Sequence, residues 1–137
     1  MELLSSLTIL AIFFSIMILD FLWLGIITHR FIIKQFGNLI WVKEGRIKIN
    51  LYVGLVAWFM IALGCYIFAV NPSTTFASAA MMGAVFGIIA YSIYDLTNWT
   101  FIRNYPVKFV FVDIAWGTFL CAAISTIGFT VKYFLIL

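Results

Sequence analysis

Charge is what this chain has least of: 9% of its residues are charged, and five of the 137 are acidic. With 66% of residues hydrophobic and 19% aromatic, that scarcity excludes an ordinary soluble domain and points to an integral membrane protein. Histidine is reduced to His29 and cysteine to Cys65 and Cys121. Neither a Cys-x-x-Cys pair nor a Cys/His spacing is present, so no zinc site is expected. There is no clustered histidine for iron, no Asp-x-x-x-Asp box for magnesium, and no serine or cysteine nucleophile with a neighbouring base. No metal, no other cofactor and no nucleic-acid partner is expected. Asn71-Pro72-Ser73 carries proline where a sequon forbids it.

What is present is apolar chain in long runs. A bilayer core of roughly 30 Å takes about 20 helical residues to cross. Four stretches qualify: Leu3 to Thr28, Ile49 to Val70, Ala77 to Trp99 and Val107 to Phe129. Continuous apolarity without alternation favours helices over a barrel, so one all-α transmembrane domain over residues 1–137 is expected, a four-helix bundle. Arg30, Lys34, Lys43, Arg46 and Lys48 fall in the first connection and Arg103 in the third, with Lys108 at the edge of the fourth span. Lys132 alone lies on the other side, which predicts both termini outside and a long basic first loop in the cytoplasm. On that orientation the Asn98-Trp99-Thr100 sequon faces inward and is not used. The lack of a positive n-region and of a small-residue cleavage site predicts that the first span is retained. In the first loop Phe31, Ile32, Phe36, Leu39, Ile40 and Trp41 are mixed with cations, as suits a segment lying among lipid headgroups, with Gly37 as a break.

Asp20, Asp95 and Asp113 stand inside these apolar runs, each followed within four residues by a tryptophan: Trp23, Trp99 and Trp116. Carboxylates in hydrocarbon are expensive and mark function or helix pairing. Counted from the inner boundaries at 1.5 Å per residue, all three reach roughly 8 to 12 Å into the cytoplasmic half, where they can meet at one level. Three ionised carboxylates there would repel one another, and no Lys or Arg lies deep enough to neutralise them all. At least one is expected to hold a proton. Tyr91, Asp95 and Asn98 share a helix face, and Tyr94, Thr97 and Thr118 are further candidates for a buried polar network. Ala79, Gly83 and Gly87 form a small-residue ridge, matched on the fourth span by Gly117, Cys121 and Ser125, which predicts close approach of the two helices. If the first and third spans were halves of a repeat, Asn50, Gly54 and Trp58 would be the second span's contribution to the site. Otherwise Trp41, Arg103, Tyr105 and Lys108 read as boundary anchors, His29 as an interfacial residue, and Met17, Met60, Met81 and Met82 as gap fillers.

The stretches Ile18 to Gly25, Ala90 to Asn98 and Val112 to Thr118, with Phe36-Gly37-Asn38-Leu39 ahead of the second span, resemble the signature segments of a bacterial family of predicted membrane proteins, the domain of unknown function 2177. The resemblance implies a small multi-pass protein of the bacterial inner membrane and carries no established activity. Two functional classes follow from the residues. In the first, the Asp/Trp cluster of Asp20, Asp95, Asp113, Trp23, Trp99, Trp116, Asn98, Tyr91 and Tyr94 binds a proton, a small cation or a solute in a transporter or channel component, with a homo-oligomer in contact with membrane lipids as the expected assembly. The second is a membrane-embedded enzyme or accessory factor in lipid modification. Against both stands a polar core that only fixes helix register.

Overall fold

The computed structural model describes residues 2–136. Helix α1 spans Glu2–Leu22 and runs into a π-helical turn, Trp23–Ile27. That turn is closed by Thr28, whose backbone N–H and hydroxyl both donate to the Trp23 carbonyl, at 2.8 and 2.7 Å. Helix α2, His29–Phe36, follows and stops at Gly37, whose φ of 51° lies in the region that glycine alone adopts freely. A 3₁₀ turn over Gly37–Leu39 leads into a minimal hairpin of β1 (Val42–Lys43) and β2 (Arg46–Ile47), antiparallel with Val42 opposite Ile47. Glu44 and Gly45 turn it with φ of 53° and 73°, the pair of positive values that a tight hairpin requires.

Three helices complete the chain. Helix α3, Leu51–Cys65, is capped by the Asn50 side chain, which accepts from the Val53 N–H, and ends in a second π turn, Tyr66–Val70. Helix α4, Phe76–Phe101, opens with a capping box in which Thr75 and Ser78 satisfy each other's backbone N–H groups. Helix α5 spans Val107–Ile136. Leu3–Ile27, Leu51–Val70, Phe76–Phe101 and Val107–Leu135 are each long and apolar enough to cross a membrane.

Contacts at the bundle ends fix the up-and-down arrangement. At one end Tyr66 donates to Ser5, and Lys132 donates to the carbonyls of Asn71 (2.9 Å) and Val70 (3.4 Å), so both chain ends and the α3–α4 connection lie together. The other end, called the basic end below, carries α2, the hairpin and the α4–α5 turn. There the Phe36 ring meets Tyr105 and Phe109 edge-on at 5.7 and 4.7 Å, pinning α2 over the start of α5. His29 Nε2 lies 2.8 Å from the Gly45 carbonyl and ties the hairpin turn back to α2.

The half of the bundle nearest the chain ends is filled by Ile12, Ile16, Cys65, Leu120, Cys121 and Ile124, all fully buried. Helices α4 and α5 share the most extensive contact, and small residues are the reason. A Cβ on Gly83 would strike the Cys121 carbonyl and Ser125, and one on Gly87 would strike the Gly117 carbonyl. The ridge read from the sequence therefore serves packing within this chain. Met60, Met81 and Met82 face outward instead of filling gaps.

Candidate functional site

All three intramembrane aspartates turn inward: Asp20 is 5% exposed, Asp95 0% and Asp113 8%. They divide into a clamp and a pair. Asp20, on α1, accepts from two indoles on two other helices, Trp58 Nε1 of α3 at 2.7 Å and Trp116 Nε1 of α5 at 2.8 Å. Each carboxylate oxygen thus has its own donor, which answers the cost of burying it. Trp116 is held in turn by Trp23, whose ring stacks on it at 4.2 Å and 3° between planes. The π turn supplies Trp23 for this stack.

Asp95 and Asp113, on the facing sides of α4 and α5, form the pair. Asp95 Oδ1 accepts from the Tyr105 hydroxyl at 3.0 Å, a bond that folds the α4–α5 turn back against the bundle. Asp95 Oδ2 is buried with no hydrogen-bond partner. Asp113 is its neighbour, close enough for the two carboxyls to act on each other. Asp20 is near enough to act electrostatically on Asp113, so one field joins the clamp to the pair. Tyr105 lies outside the spans; burial, with the Asp95 carboxyl beside it, pushes its phenol above the usual range and keeps it a donor. Among the described residues, no three His, Cys, Asp or Glu side chains are grouped to hold a metal ion.

The other residues singled out from the sequence divide as well. Tyr91 is half-buried with its ring laid over Gly117, where a Cβ would collide with it. Asn98 is half-buried on the same side. Tyr94 is 60% exposed, on the lipid face, its hydroxyl within reach of Asn98 and Tyr105 at the rim. Trp99 is 44% exposed and is not drawn into the buried cluster, and Thr97 is exposed. Thr118 donates to the Ile114 carbonyl of its own helix, so it adds nothing to a network between helices. The tryptophan one turn after each aspartate is not that aspartate's donor: Asp20 takes its indoles from α3 and α5.

Two participants carried only indirect signals. Trp58, named from the sequence only on the supposition of a repeat, lies eight residues beyond Asn50, about 12 Å into the span and level with Asp20, a depth that nominates it without any repeat. Tyr105, read as a boundary anchor, is 6% exposed and bonded to Asp95; only the fold of the turn reveals this.

The arrangement sets two carboxyls side by side in a dry part of the bundle, with a phenol near the membrane surface donating to one of them. No curated protein and no solved structure matches the chain. The family model described as predicted membrane protein (DUF2177) matches residues 5–130, and with four helices able to span a bilayer the chain belongs to that family of membrane proteins.

Proposed function

We propose that the protein is a proton-binding component of a membrane transport process, with Asp95 and Asp113 as the proton site. The observation that carries this reading is Asp95 Oδ2, an oxygen removed from solvent and left without a donor beside a second carboxyl. Two adjacent negative charges in a low-dielectric bundle repel strongly, and one shared proton relieves the repulsion while supplying the missing donor. Tyr105 connects the pair to the basic end, and Asp20, held by Trp58 and Trp116, sets the field around it. Trp23, Tyr91, Asn98, Tyr94 and Trp99 are assigned supporting places around the pair, the last two at its lipid-facing rim. The positive-inside rule turns the basic end to the cytoplasm of a bacterial inner membrane. The apolar half beyond the pair is closed in a single copy, so a continuous route would run along an interface between copies.

The test uses purified protein in liposomes loaded with a pH-sensitive dye. Under an imposed gradient the wild type moves protons, and Asp95→Asn abolishes the movement while its melting temperature shows an intact fold. Infrared difference spectra should contain a protonated carboxyl band that Asp95→Asn and Asp113→Asn both alter. Unchanged flux in both variants, or three ionised carboxylates near neutrality, would sink the proposal and leave a polar core that only fixes helix register.

A further inference from the structure

The α4–α5 turn encloses an open hollow of about 470 Å³, walled by Trp99 and Thr100 from α4 and by Arg103, Asn104 and Tyr105 from the turn. Its rim is rich in uncommitted donors. Arg103 and Asn104 are exposed, Trp99 is 44% exposed, and among the described residues no ion pair or side-chain hydrogen bond occupies any of them. Asn104 adopts φ of 60°, the left-handed conformation that lets the chain reverse around the hollow. No carboxylate stands on the wall; Asp95 lies behind Tyr105, whose hydroxyl is already committed to it. Lys108, exposed on the first turn of α5, adds positive charge nearby.

A guanidinium, an amide and an indole around one opening, with no acid to satisfy them, suit a ligand that is negative and all acceptor. The hollow also lies just beyond the last residue of α4 and before the first of α5, at the level where hydrocarbon gives way to headgroups. We infer that it binds a phosphate group, and that at this level the group is the phosphodiester of an anionic phospholipid. Arg103 takes the phosphate oxygens, Asn104 and Trp99 donate to the remainder of the headgroup, and the lipid's chains run down the outer face of α4 beside Trp99. This site does not depend on the protonation of Asp95 and Asp113, so it stands or falls apart from the transport proposal.

Native mass spectrometry of protein released from mixed phosphatidylglycerol and phosphatidylcholine vesicles tests it. The wild type should retain phosphatidylglycerol in preference to phosphatidylcholine. Arg103→Gln should weaken that retention about tenfold, as loss of a charge-assisted bond predicts. Asn104→Gly, which removes the amide but tolerates the same φ, should weaken it less, and Lys43→Gln on the hairpin, which does not line the hollow, should leave it intact. Displacement of the lipid by inorganic phosphate would keep the site and assign it to a free anion. Equal retention in wild type and Arg103→Gln, both melting alike, or equal losses in Arg103→Gln and Lys43→Gln, would overturn it in favour of diffuse attraction to an anionic surface.

Discussion

Each aspartate is buried by a different solution to the same problem. Asp20 is fully served: two indole N–H groups, one per oxygen, from two helices that it thereby ties to its own. Asp95 is half served, by Tyr105 alone. Removing one donor of the clamp has a cost set by the oxygen left behind and not by the bond alone. Trp58→Phe keeps most of the ring's apolar area but leaves Asp20 Oδ2 unpaired, so it should lower stability by about 1–3 kcal/mol. Chemical unfolding in detergent measures this. If Trp58→Phe unfolds with the wild type, Asp20 does not depend on the clamp for its burial.

Among the elements, α4 and α5 hold the bundle together through contacts without bulk. Their small residues were legible in the sequence because a four-residue spacing within one helix defines a face on its own. The indole of Trp58 was reached only through a supposed repeat, because α3 is apolar on every side and its pattern gives no sign of which face turns toward α1. The π turn at Trp23–Ile27 was equally hidden: it alters the phase of the helix after Asp20 and delivers Trp23 onto Trp116, and no residue type announces it. Nor did the sequence foretell the hairpin after Gly37, whose strands are two residues each. Glycine substitutions separate tight contacts from open ones. Gly87→Ala drives a methyl group into the Gly117 carbonyl and should cost about 1–3 kcal/mol by overpacking, whereas Gly54→Ala, with nothing within 4 Å, should be neutral or slightly stabilising. Melting curves of the two variants in detergent should therefore diverge, and coincident curves would contradict the packing described for α4 and α5.

At the scale of the molecule, the four crossings and their up-and-down order followed from hydropathy and length, since a bilayer leaves the backbone few choices. Counting residues puts the three acids at a common expected depth, but their division into a clamp and a pair depends on helix rotations that counting does not give. The native thiols permit a direct check of orientation. Cys65 and Cys121 are both fully buried, so a membrane-impermeant maleimide applied to intact cells should leave the wild type unlabelled. Thr74→Cys, exposed in the α3–α4 connection, should label from outside, and Lys43→Cys, exposed on the hairpin, should label only after the membrane is opened. The reverse pattern would invert the bundle.

Ile12, Ile16, Leu120 and Ile124 give the protein a polarity of access. On the proposed reading they shut the acid pair off from the far face of the bilayer, so an isolated copy would be an inlet without an outlet. Such a molecule can register the acidity of the compartment it faces without short-circuiting the proton gradient. Any discharge to the far side has to await either a partner or a displacement of those isoleucines.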